Sequence, residues 1–177
     1  ENLFYTANFT ELSFAVEVDI EPSGAGTVTG EGTYLFNQEV VLEALPEIGY
    51  EFLHWSDQAG VVSTDNPYSF NLPAYDILLT AVFGELSYNL ELAVNPAQTG
   101  TTFGYGNYSY NQTVTISAEP AMGYEFVNWT DNNGVVSDDN PFNFNMPAEN
   151  LYYTANFSEL AFSVEVDIEP SGTGAVT

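Results

Sequence analysis

The residues able to do chemistry in this chain are few. There is no lysine, arginine or cysteine, and His54 is the single histidine among 177 residues. Nucleophilic chemistry through a thiol or an amine is therefore absent, and acid–base work would fall to paired carboxylates. Carboxylates are plentiful, at 25 Asp plus Glu and a formal charge of −25. They are scattered, however: Glu17, Glu51, Asp57, Asp65 and Glu85 recur as Glu91, Glu125, Asp131, Asp139 and Glu159 along strands and turns, with no sign of a common cleft. His54 has Asn128 at the equivalent place, so a catalytic or ligating role for it would be lost in a near-identical module. We expect no enzyme activity and no catalytic residue.

Two further groups merit a chemical reading. Asp131-Asn132-Asn133-Gly134 followed by Ser137-Asp138-Asp139-Asn140 offers hard oxygen ligands, so Asp131, Asp138 and Asp139 are calcium candidates. The spacing is not that of an EF-hand, and Asx-turn chemistry accounts for the same residues. Tyr105, beside a Gly-rich hairpin, is a candidate for contact with a sugar or another filament, set against ordinary cross-strand packing. No cofactor other than calcium suggests itself. Nucleic acid and anionic membrane surfaces are excluded as partners, because both are bound through Lys and Arg. Asn-x-Ser/Thr triplets at Asn8, Asn107, Asn111, Asn128 and Asn156 are read as chance.

The elements that position these residues are organised by repetition. Gly49-Tyr50-Glu51-Phe52-Leu53-His54-Trp55 returns as Gly123-Tyr124-Glu125-Phe126-Val127-Asn128-Trp129, 74 residues later and without a gap. A fixed period of this kind marks an array of like modules. The boundaries fall at 12–85 for one repeat and 86–159 for the next. Residues 1–11 match 149–159 and read as the last strand of a preceding repeat; residues 160–177 match 12–29 and read as the first strand and turn of a following one. Both matches span 148 residues, which implies alternating repeat types.

Within a repeat the apolar period is two, the signature of strands. Leu12, Phe14, Val16, Val18 and Ile20 share one face against an acidic other; Val40, Leu42 and Ala44 point inward, as do Val114, Ile116 and Ala118. One interrupted strand is expected over Thr27–Phe36, a single helical turn at Pro73–Asp76 and a closing strand from Ile77 to Phe83. Tyr50, Phe52, Trp55, Tyr124, Phe126 and Trp129 are the expected structural core. Aromatics at 15 % of the chain replace the disulfides a small extracellular domain often uses. Between Phe83 and Tyr88 there is no room for a flexible tether, so neighbouring repeats of the same chain are expected partners in a rod-like array.

The positions Gly30, Gly32, Tyr34, Pro46, Gly49, Tyr50, Glu51, Phe52, Trp55, Asn66, Pro67, Tyr68, Phe70, Leu72, Pro73, Ala74, Thr80, Ala81 and Phe83, repeated in the second copy, carry a resemblance to the divergent InlB B-repeat, akin to the Listeria–Bacteroides repeat. The resemblance spans the whole chain. It implies an all-β, mainly antiparallel, β-grasp-like or sandwich-like module of bacterial surface proteins. In the Bacteroidota such modules form long arrays in very large adhesins, including gliding-motility adhesins exported by the type IX system. It implies no single ligand and no catalytic residue. The loss of every Lys and Arg is not part of that pattern. It fits an extracellular, bacterial cell-surface setting where cations screen the charge or trypsin-like proteases must be resisted. A charged fraction of 14 % is low for a halophile's cytoplasm.

The expected function is therefore a stalk or filament segment of a giant repetitive adhesin. Alternatives are an adhesive module that binds a surface polysaccharide through exposed aromatics, and an accessory domain of an extracellular hydrolase.

Overall fold

A computed structural model describes residues 3–166. The chain divides into two compact units, 1–87 with 109–111 and 88–108 with 112–177. The first carries β1 (Ser13–Glu21), β2 (Gly26–Thr29), β3 (Gly32–Leu35), β4 (Glu39–Pro46), β5 (Tyr50–Asp57), β6 (Gly60–Ser63), β7 (Tyr68–Asn71) and β8 (Ile77–Glu85). The second repeats the order as β9 (Ser87–Asn95), β10 (Gly100–Phe103), β11 (Gly106–Ser109), β12 (Thr113–Pro120), β13 (Tyr124–Asp131), β14 (Gly134–Ser137), β15 (Phe142–Asn145) and β16 (Leu151–Glu159).

Each unit is a small sandwich. In the first, a five-stranded sheet ordered β3-β1-β8-β5-β6 faces a three-stranded sheet ordered β2-β4-β7. The second has β11-β9-β16-β13-β14 and β10-β12-β15. Apolar residues from both sheets meet in one core per unit. Val16, Trp55, Leu79, Ala81 and Phe83 come from the larger sheet, and Val40, Leu42 and Ala44 from β4. Alternation explains this: each strand sends every second side chain inward. All-β architecture is thus what the pattern foretold. The β-grasp alternative fails for want of a helix among the described residues; Pro73–Asp76, read as a helical turn, is a bend instead, held to β1 by Asp76 Oδ1 accepting the Ala15 N–H at 2.8 Å.

Two details depart from expectation. First, the first and last strands of a unit run parallel, with Val16 opposite Ile77 and Glu21 opposite Val82; the other ladders of that unit are antiparallel. The second unit repeats this between β9 and β16. Second, Thr27–Phe36 is not one strand. It breaks at Gly30, and β2 and β3 lie in different sheets. Gly30 has φ 95°, and a Cβ there would stand 2.0 Å from the Val41 carbonyl oxygen, so only glycine lets the chain turn this corner. Tyr34 closes the corner by donating its hydroxyl to Gly30 O at 2.6 Å, and Tyr108 does the same to Gly104 O at 2.8 Å. That explains the Gly-x-Gly-x-Tyr spacing.

The end segments fall outside the two modules. Residues 3–11 form no strand and are exposed, although they match β16 almost residue for residue. A closing strand needs a first strand on one side and a fifth on the other. In both units those places are taken by β8 and β16. Residues 160–166 likewise form no strand; the rest of the expected following strand and turn, 167–177, lies outside the described residues, as do residues 1 and 2.

Candidate functional site

The aromatic centre of each unit is built on its fifth strand. A register shift between Phe52 and His54 puts a bulge at Leu53, so that both Phe52 and Trp55 face the core. Trp55 and Trp129 are fully buried, while Tyr50, Phe52, Tyr124 and Phe126 are half-buried and pack against the two cores. Phe52 lies 5.2 Å from Trp55 and meets Phe83 edge-on at 5.8 Å; Phe126, Trp129 and Phe157 repeat the cluster. These residues hold the sandwich together.

The structure gives the calcium candidates turn-forming work. Asp131 Oδ1 accepts the N–H groups of Asn133 at 2.7 Å and Gly134 at 3.0 Å, closing the hairpin between β13 and β14. The Asn133 backbone N–H, opposed by desolvation and aided by the Asn133 side chain and the Gly134 N–H, holds this carboxyl below its ordinary range. Asp57 makes the same turn in the first unit. Asp139 donates its N–H to Ser137 Oγ, as Asp65 does to Ser63 Oγ, both at 3.0 Å. Asp138 and Asp139 are exposed. Among the described residues, no group of three or more His, Asp or Glu is placed to hold a metal ion.

His54 is half-buried on the outer face of β5, opposite Val82. Tyr105 stands between β10 and β11 and is 70 % exposed. It borders a groove of about 350 Å³ with Asn89, Leu90, Glu91, Leu92 and Gly106. The first unit has Glu31 at this place, and its carboxylate accepts the Val18 N–H at 2.8 Å. Tyr105 therefore replaces a strand-edge cap by an open aromatic.

Two constellations were not foreseen. Asn66 acts as a strand partner by side chain alone: its Oδ1 accepts the Ala44 N–H at 2.9 Å and its Nδ2 donates to Ala44 O at 2.7 Å. Asn140 does the same to Ala118. This is why Asn precedes Pro in both copies of the motif. The other is an amide ladder on the outer face of the second unit's larger sheet. Asn95 Nδ2 donates to Asn156 Oδ1 at 3.0 Å, and Asn156 Nδ2 donates to Asn128 Oδ1 at 2.9 Å and Thr130 Oγ1 at 3.0 Å. Its residues stand on three strands, and only their register brings them together. The Asn128 and Asn156 triplets were the one visible trace.

The sequence profile of the divergent InlB B-repeat domain matches residues 16–86 and 90–161, and the chain belongs to that family as two tandem modules. The family is a repeat module not known as catalytic, typically found in extracellular or surface-exposed proteins. No curated protein matches the chain.

Proposed function

From two tandem divergent InlB B-repeats, we propose a stalk or filament segment of a large repetitive bacterial surface adhesin, giving rigid reach to a distal binding tip. The observation that carries this reading is the placement of each unit's terminal strands. The chain enters a unit on its first strand and leaves on its last, and these two lie side by side and parallel near the sheet centre. Tension along the chain then pulls the paired strands in opposite directions along their length. Their hydrogen bonds are sheared together and cannot be unzipped one at a time. A module meant to transmit force benefits from that geometry; a module meant only to hold a ligand has no need of it.

The junction supports the same reading. Leu86 alone separates β8 from β9, and its N–H is donated to Gly49 O at 2.8 Å. The surface adds to it: with no Lys or Arg, the chain lacks every trypsin-type cleavage residue, and its uniform sign keeps neighbouring filaments apart.

Small-angle scattering on residues 12–159, with calcium and then with chelator, tests the reach. Two modules end to end should give a radius of gyration of roughly 19–20 Å against about 15 Å for one globule of that length. The larger value in both conditions is expected. The larger value with calcium alone would make Asp131, Asp138 and Asp139 stiffening ligands. The compact value would contradict the stalk.

A further inference from the structure

We propose that the outer face of the second unit's five-stranded sheet, centred on Tyr152 and the Asn95–Asn156–Asn128 ladder, is a binding platform for a neutral polysaccharide. This does not depend on the stalk reading, since a filament segment with or without mechanical duty can carry it.

The two units fill this face differently. In the first, it presents Glu17, Asp19 and Glu21 on β1, Leu78, Thr80 and Val82 on β8, and Glu51, His54 and Ser56 on β5. At the same register the second presents Glu91, Ala93 and Asn95 on β9, Tyr152, Thr154 and Asn156 on β16, and Glu125, Asn128 and Thr130 on β13. Four carboxylates become two, and those two stand at the ends. Apart from Val127 at the bulge of β13, the middle has become amides, hydroxyls and one small residue. These residues point away from the core, so the differences in core side chains between the units do not by themselves dictate them.

The resulting surface has the chemistry that sugars need. Tyr152 is 51 % exposed. Its neighbour across the strands is Glu91, and Ala93 beside Thr154 leaves the next place low. An aromatic face can take the C–H face of a pyranose ring, while its edge stays in water. Further along lies the ladder. Its internal bonds fix the amide planes, so their orientation is set before a ligand arrives. Among the described residues no other hydrogen bond engages Asn128 Nδ2 or Asn95 Oδ1, which leaves a donor and an acceptor for ligand hydroxyls on either side of Asn156. From Tyr152 to Asn156 is four residues of strand, about 13 Å, the scale of a short oligosaccharide.

Charge selects within that class. The chain carries −25 with no cation, so uronates and sulfated polymers are repelled at any approach. Glu91 and Glu125 at the ends accept bonds from neutral hydroxyls but oppose a carboxylate ligand. A neutral polymer is the occupant that suits both the aromatic and the amides without a charge penalty.

Affinity electrophoresis of the full chain in native gels tests this directly, with a soluble β-glucan, a galactomannan and dextran as neutral probes and alginate and polygalacturonate as anionic ones. The expected result is retardation by at least one neutral polymer and by neither anionic one. Tyr152→Leu with Asn156→Val installs the residues that the first unit carries at those places, on a scaffold known to accept them. It should weaken retardation at least tenfold while the circular dichroism melt stays cooperative; Tyr105→Ala should leave retardation unchanged. The reverse exchange in the first unit, Asp19→Ala, Glu21→Asn, His54→Asn, Leu78→Tyr and Val82→Asn, should increase it. The proposal is overturned if no neutral polymer retards the chain, if retardation survives Tyr152→Leu with Asn156→Val, or if an anionic polymer binds better. It is also overturned if sedimentation shows that the same pair of substitutions abolishes self-association without affecting any polysaccharide, since the face would then be a contact between copies.

Discussion

The two units are one scaffold filled twice, and their differences separate what the fold requires from what it tolerates. Ala25, Leu72 and Leu79 of the first core stand where the second has Thr99, Met146 and Tyr153, and all six are buried. Volume has been redistributed across shared positions, the kind of change that close-packed cores accept when pattern and total size are kept. Polar groups are handled unequally. Trp55 Nε1 donates to Asp65 O at 2.9 Å, whereas Trp129 Nε1 is buried without a partner among the described residues. Thr99 satisfies its own hydroxyl on Pro96 O at 2.7 Å. What does not vary is the corner glycine, its tyrosine, and the Asn that clamps the fourth strand. The lesson is that backbone geometry is held fixed while side-chain chemistry drifts between modules.

The largest expected effect tests the fixed part. Gly30→Ala and Gly104→Ala should each cost their unit roughly 2–4 kcal/mol, because both corners combine a positive φ with a carbonyl oxygen closer than a Cβ can approach. Chemical denaturation should show one of two transitions moving in each case. A loss confined to one of the two variants would break the equivalence.

Next comes the tryptophan pair. Trp55→Phe strands the Asp65 carbonyl, while Trp129→Phe removes an N–H that had no partner, so Trp55→Phe should be the more destabilising by roughly 1–3 kcal/mol. Equal losses from urea melts would mean that the two indoles are satisfied alike.

A third difference is in pH dependence. Burial, with the charges of Asp131 and Glu149, raises the Tyr153 phenol above its usual range. The folded state thus keeps a proton that the unfolded chain gives up above about pH 10. The stabilisation is intact below that value and declines as pH rises through the folded pKa. Tyr153→Leu, the residue of the first unit, should lower the neutral melt through lost core volume but remove this part of its further decline at alkaline pH. An unaltered alkaline profile would contradict it.

The smallest effect is at the hairpin cap. The Asp131 carboxyl is held low, so its contribution is present above the ordinary carboxylate range and is lost as pH falls through the folded value. Asp131→Ala should lower the thermal midpoint of the second unit slightly at neutral pH and flatten its acid limb. A midpoint indifferent to pH between wild type and variant would remove the cap from the account.

Much of this fold was legible because strands advertise themselves by alternation, and the exact repeat allowed each position to be read twice. Trp55, Val40, Leu42 and Ala44 fell inside as their period required. The misses share a cause: alternation tells which side a residue faces and says nothing about its neighbour. It could not show that β1 and β8 run parallel, since both senses alternate alike. Nor could it show that Gly30 hands the chain from one sheet to the other, or that Asn95, Asn128 and Asn156 meet. Leu3, Tyr5 and Phe9 make the same point in reverse. Their pattern is that of a closing strand, but a strand forms only where an edge is open to receive it.

Pulling the chain by its two ends in a single-molecule force experiment tests the stalk reading most directly. Two well-separated unfolding events of similar length are expected, both far stronger than when the same unit is pulled through attachments at His54 and Thr64, at the open end of the β5–β6 hairpin, which would unzip. Val18 gives its N–H to Glu31, so by alternation Asp19 turns its own toward β8; Asp19→Pro should weaken one of the two events and spare the other. If end-pulling and hairpin-pulling yield at the same force, the parallel terminal strands are no clamp and the mechanical account is wrong.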